Sequence, residues 1–216
     1  NIFTVPWAPG QPLDIEEASF TQFATLQKKD YILQVGRLEP RKNQLASILA
    51  TQYLDIPLVL LSSHIFEQHM PYAQTCIELA KRGRKAPVII LSQSLPALQS
   101  KNLRIIHLDA PLPPELLLGA YNSSALHLHP AFYELPGFTA LESAKLGIPT
   151  ITSSQTTLPD YFADHPIDDR IQYIEPANID SIRATISEHL GKTYPKIEHP
   201  AFSRTPLKVA EEFSSR

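Results

Sequence analysis

The stretch Ala125-Leu126-His127-Leu128-His129-Pro130-Ala131-Phe132-Tyr133-Glu134-Leu135-Pro136-Gly137-Phe138-Thr139-Ala140-Leu141-Glu142, continued by Ser143-Ala144-Lys145-Leu146-Gly147-Ile148-Pro149-Thr150-Ile151-Thr152, reads as one strand–helix–strand unit. Residues 125–129 alternate as a strand does. Pro136-Gly137 marks the start of a helix, which spans about Gly137 to Leu146. Gly147 and Pro149 stop it, and 149–152 is the next strand. Backbone N–H groups at such a helix start are free, and the helix dipole points the same way, so the segment accepts anions. Glu134 precedes the helix and Glu142 lies more than one turn inside it, where helix capping does not explain a carboxylate. The segment therefore presents an anion site with an acid on either side, suited to a phosphorylated polyhydroxyl ligand.

Working outward, further apolar strands alternate with helical patterns. Tyr31-Ile32-Leu33-Gln34-Val35-Gly36 is a strand bounded by glycine, followed by a polar loop from Arg37 to Lys42 and a helix over about Asn43–Tyr53. Residues 57–61, 88–91 and 103–106 are runs expected of strands buried on both faces. Helices are expected over about 72–81, 113–121, 179–190 and from 207 to the end, with a short strand at 171–174. This pattern specifies an α/β fold: one Rossmann-like domain with a parallel sheet flanked by helices. Residues 27–216 form that domain and 1–26 a linker leading into it. Arg37, Ser62, Asp109 and Glu134 all follow strand ends, so they can converge on one rim.

The loop Gly36-Arg37-Leu38-Glu39-Pro40-Arg41-Lys42-Asn43 sets two or three cations between a strand and a helix. Gly36 permits a tight turn, Arg37 can fork onto phosphate oxygens, and Lys42 adds a point charge. His127 and His129 project to one side of their strand; no third residue has a metal-ligand spacing, so a structural or sugar-contacting role is expected. Lys81-Arg82-Gly83-Arg84-Lys85 is a basic run at a helix end, read as a solvated face. Cys76 is the single cysteine and reads as a buried thiol, which fits a reducing, cytoplasmic setting. The formal net charge of −3 gives no sign of nucleic-acid binding, and no apolar run is long enough to span a membrane. The chain lacks an initiator Met and reads as a piece of a longer protein, or as a processed or trimmed one.

Together, GRLEPRKN at 36–43 and PAFYELPGFTALESAKLGIPTITSS at 130–154 resemble the donor-binding, C-terminal lobe of retaining glycosyltransferases of the GT-B fold, group 1 or class four, with its two glutamates eight positions apart. The resemblance implies that Glu134, the catalytic candidate, contacts the donor sugar and Glu142 holds the ribose. It implies that Arg37 and Lys42 bind the diphosphate, helped by the backbone of Gly137, Phe138 and Thr139. Gly36, Leu108, Asp109 and His129 are candidate base or sugar contacts. No metal or cofactor is implied; the substrate is a nucleoside diphosphate sugar. The implied partners are an N-terminal acceptor lobe and a glycan or lipid acceptor, with peripheral membrane association. Two departures stand out: Ser62-Ser63-His64 replaces a glycine-rich turn, and Leu108-Asp109 replaces a Leu-Gly pair. A non-catalytic nucleotide-sugar-binding or scaffold module of the same fold is the competing reading.

Overall fold

The structure, a computed structural model, describes residues 31–112, 114–135, 137–163 and 167–197. The expected linker at 1–26 and the expected helix from 207 lie outside the described residues. Eight strands form one sheet: β1 (Ile32–Val35), β2 (Leu58–Leu61), β3 (Val88–Ser92), β4 (Leu98–Gln99), β5 (Leu103–His107), β6 (Leu126–His129), β7 (Thr150–Ser153) and β8 (Ile171–Ile174). Their order is β4-β5-β3-β2-β1-β6-β7-β8, parallel except for the β4–β5 pair. Among the described residues six α-helices flank it: α1 (Gln44–Ala50), α2 (Met70–Ala80), α3 (Pro114–Ser123), α4 (Phe138–Lys145), α5 (Leu158–Ala163) and, after the last strand, α6 (Ile179–His189).

Strand alternation explains the layers. Ile32, Leu58, Leu60, Val88, Ile90, Leu126 and Leu128 join one buried cluster, together with Ile48 of α1, Cys76 and Ile77 of α2, and Ile182 and Ile186 of α6. Leu33, Val59, Leu61, Ile89 and Leu91 point the other way, into a second cluster with Ala120 and Tyr121 of α3. Ala140, Leu141 and Ala144 of α4 pack with Leu158 and Phe162 in a third. Cys76 is fully buried, and burial pushes its thiol up to about 12.

The chain winds outward from β1 in both directions. It runs β1, β2, β3, β5 to one side, then returns through α3 to β6 on the other side of β1. The gap between the carboxyl ends of β1 and β6 is therefore the topological switch point, where open α/β sheets bind ligands.

Several elements differ from expectation. Helix α1 ends at Ala50 rather than near Tyr53, because its last carbonyls are taken by side chains. Arg84 donates to Ile48 O at 2.6 Å and to Thr51 Oγ1 at 2.9 Å, while Arg183 reaches Ala50 O and Leu49 O. The basic run at 81–85 is thus not merely a solvated face, since Arg84 is spent as a helix cap. Strand β4 and helix α5 were not expected: two exposed residues carry no periodic signal, and α5 is six residues long. Helix α6 starts as its sequence suggests, with Asn178 accepting from Ser181 N–H at 2.9 Å.

Candidate functional site

Two loops meet at the switch point. The first begins at Gly36, whose φ of 148° few other residues adopt readily. A Cβ there would sit 3.4 Å from Lys42 Cε, so the missing side chain is the space across which the Lys42 stem lies. Leu38 then plugs the core, its N–H donating to Ser62 Oγ at 2.9 Å. Pro40–Lys42 form a 3-10 turn, ended by Asn43 in the left-handed region at φ 55°. The Asn43 side-chain amide donates to Pro130 O at 3.0 Å and to Pro176 O at 2.9 Å, so it fastens this loop to those following β6 and β8.

The second loop follows β6. Phe132 N–H donates to Arg41 O at 2.9 Å, and Glu134 makes an isolated parallel bridge to Thr156. Gly137 caps α4 at φ 81°, where an added Cβ would lie 3.3 Å from Leu158 Cδ1. Helix α4 has no side-chain cap among the described residues; Ala140 N–H donates to Gly137 O at 3.0 Å, and the N–H groups of Phe138 and Thr139 remain available.

Charges alternate between the loops. Glu134 Oε2 is contacted by Lys42 Nζ and, at 2.9 Å, by Arg41 Nη1. Arg41 Nη1 also donates to Tyr133 O at 3.1 Å, and its Nη2 reaches Glu39 Oε1 at 2.7 Å. Arg37 Nε lies 3.4 Å from the other Glu39 oxygen, and its guanidinium covers the Phe66 ring at 4.9 Å. The Glu134 side chain is 12% exposed. Burial would raise its carboxyl, but the nearby His129 and the hydrogen bond and charge of Lys42 more than offset this and bring it down to about 2.

Beneath the rim lies a buried polar row. His127 sits beside Leu33 in the sheet register, so it and His129 occupy the second face, where the neighbouring strands carry Leu and Val. Tyr121 Oη donates to Glu142 Oε2 at 3.1 Å, its ring is 5.5 Å from His127, and His127 stacks on His129 at 6.0 Å. Among the described residues neither ring nitrogen of His127 has a hydrogen-bond partner. Burial, then the Lys42 charge, lowers the His129 pKa, although Glu134 opposes the shift; it is neutral at pH 7. Thr139 Oγ1 lies 3.4 Å from His129 Nδ1, and Glu134 Oε2 lies 3.5 Å from Nε2. Burial raises the Glu142 carboxyl, and the Tyr121 bond opposes this.

Of the residues singled out in the sequence, Gly36, Lys42, His129, Glu134, Gly137 and Thr139 come together. Arg37 joins them only through Glu39, and Glu142 only through the row beneath. Phe138 is half-buried against the third cluster. Leu108 is a core residue of the second cluster, and Asp109 is exposed. Both follow β5, three strand spacings or roughly 14 Å from β1. Sequence reasoning missed Glu39, Arg41, Asn43 and Tyr121. Arg41 was visible as a third cation in the loop, and Asn tolerates the left-handed conformation at Asn43; nothing in sequence marked Tyr121. Among the described residues no group of three or more His, Cys, Asp or Glu side chains is arranged to hold a metal, and no helix is long and apolar enough to cross a membrane.

This doubly wound sheet, with its two loops meeting at the switch point, has the fold of the C-terminal lobe of GT-B proteins. The solved structures it resembles include a UDP-forming α,α-trehalose-phosphate synthase from Burkholderia xenovorans in complex with glucose-6-phosphate (TM-score 0.60, 11% identity, 81% of this chain and 38% of that one). A trehalose-6-phosphate protein from E. coli bound with UDP-2-fluoro glucose gives TM-score 0.58 at 13% identity, covering 90% and 42%. In sequence the chain is 26% identical over 192 residues to O-antigen chain mannosyltransferase B of Escherichia coli, covering 86% of this chain and 42% of that relative. No protein-family model matches the chain.

Proposed function

We propose that the chain is the donor lobe of a retaining glycosyltransferase of the class-four type, which transfers a sugar from a nucleoside diphosphate sugar to an acceptor. The observation that carries this is the meeting of loops 36–43 and 130–135 at the switch point, with Glu134 against Lys42 and an uncapped helix start beside them. In this reading Glu134 contacts the donor sugar and Glu142 the ribose. Arg37, Lys42 and the first-turn N–H groups of α4 face the diphosphate, where leaving-group charge grows. Those donors and cations make a divalent metal unnecessary.

The chain spans less than half of the relatives it matches, so the second wall of the cleft lies outside it. Phe132, Tyr133 and Leu135, all about half-exposed around Glu134, are the surface we assign to the acceptor lobe or a glycan or lipid acceptor. The lobe alone binds donor weakly and does not turn over. A cytoplasmic, membrane-peripheral site of action fits such an acceptor.

The test is a thermal-shift panel of GDP-, UDP- and ADP-sugars, with mannosyl donors first because of the curated relative's name. Ligand at a hundredfold excess over Kd stabilises by about 2.7 kcal/mol. No shift with any nucleotide, or an equal shift in Glu142→Ala, would rule the site out. One observation favours the non-catalytic module instead: Glu134 is already engaged by Lys42 and Arg41. Transfer activity measured on the full-length protein separates the two.

A further inference from the structure

Glu134 Oε2 is held by two cations at once, Lys42 and Arg41. If Lys42 turns to a diphosphate, Glu134 is left largely buried and must keep a counterion or lose its charge. His129, the third group on this carboxylate, is neutral. That leaves Arg41. We propose that Arg41 is a positioning residue that keeps Glu134 ionised and in place while Lys42 moves from the carboxylate to the donor's diphosphate. The proposal rests on the donor-site reading and assigns a role within it to a residue that the resemblance does not mark.

The two side chains are built for these different tasks. The Arg41 guanidinium is fixed on three sides, by Glu39 Oε1 at 2.7 Å, Glu134 Oε2 at 2.9 Å and Tyr133 O at 3.1 Å. Its own carbonyl accepts from Phe132 N–H at 2.9 Å. Swinging this fork to a ligand would break all of its side-chain contacts. Lys42 is a point charge on a flexible stem, and that stem lies over Gly36, with Cε, Cδ and Cγ 3.4, 3.5 and 3.7 Å from where a Cβ would be. The space beside it lets the ammonium change partner. Three cations, Arg37, Arg41 and Lys42, face two carboxylates, Glu39 and Glu134, so the cluster has one positive charge over for an anion.

The test is a double-mutant cycle on the full chain, with UDP, GDP and ADP titrated calorimetrically into the parent, Arg41→Gln, Glu134→Gln and the double variant. Arg41→Gln is expected to weaken diphosphate binding about tenfold, or about 1.4 kcal/mol, because Lys42 stays behind as the sole cation on Glu134. Glu134→Gln should bind at least as tightly as the parent, and in that background Arg41→Gln should cost less than about twofold. Equal loss in both backgrounds means that Arg41 touches the ligand itself and overturns the proposal; so does no loss in either. A second readout is pH. Glu134 faces Lys42, Arg41 and His129; once Lys42 leaves it for the ligand in Arg41→Gln, burial favours the protonated acid, so binding takes up a proton and the loss relative to parent should shrink between pH 7 and pH 4. A loss constant with pH would refute the exchange. Should Arg41→Gln fail to fold, Arg41→Met, which removes the charge and keeps an unbranched apolar stem, carries the same cycle. Failure of the parent to bind any of the three nucleotides is a different result: it removes the donor-site reading, and this inference with it.

Discussion

Replacing Glu134 with Gln removes a charge and almost nothing of the shape, so it isolates what the ion cluster contributes to the fold. In the folded protein the carboxyl lies at about 2, against an ordinary 4.5. Each pH unit of that difference is worth about 1.4 kcal/mol, so the folded state gains at most about 3.5 kcal/mol at neutral pH. Arg41 approaches from a side that is 36% exposed. Solvent screening there takes back roughly half, which leaves about 1.5 to 2 kcal/mol to be measured. The sign follows from the direction of the shift. A carboxyl more acidic when folded stabilises fully above about pH 4.5 and loses that stabilisation as pH falls toward 2. Urea unfolding of parent and Glu134→Gln at pH 7, 5, 4 and 3 should therefore show the variant less stable by about 1.5 to 2 kcal/mol at pH 7, with the gap falling to roughly 40% of that by pH 3. A gap that is the same at pH 7 and pH 3, or no gap at neutral pH, would show that these contacts do not hold the carboxylate in its ionised form.

Two other substitutions probe the frame around the site. Arg170 is 1% exposed; it pairs with Asp168 at 2.6 Å and donates to Ala144 O and Pro195 O, which ties the segment after α6 to the end of α4. Arg170→Met should cost about 2 to 3 kcal/mol in chemical denaturation, at the low end for a broken buried pair because Asp168 is partly exposed. Gly137→Ala forces a side chain into φ 81° and against Leu158, so its melting should report a loss of about 1 to 2 kcal/mol.

The fold was legible because parallel strands buried on both faces leave apolar runs that little else produces, and most of them were followed by a helical pattern. Val88–Ser92 and Leu58–Leu61 needed no tertiary information to be recognised. Leu98–Gln99 did need it, since a two-residue strand exists only because Ile105 and Arg104 lie opposite. The site was legible at its backbone: Gly36, the Pro-Gly before α4 and the spacing of the two glutamates are local features. Its partnerships were not. Which of Arg37, Arg41 and Lys42 meets Glu134 depends on where a 3-10 turn points, and that turn is set by Asn43 bonding to loops 87 and 133 residues away. The link from Glu142 to Tyr121 likewise joins two helices across the sheet face, which no spacing rule encodes.

Cys76 is the sole thiol in the chain and faces the sheet from α2 with no exposure. A thiol-reactive dye added to folded protein therefore has nothing to attack until α2 lifts from β2 and β3, and the raised pKa keeps the group protonated meanwhile. The pace of single-site labelling is then a clock for the opening of that half of the domain, read without introducing a probe. Run with and without nucleotide, the same clock tells whether filling the rim between β1 and β6 quiets the helix layer on the opposite face.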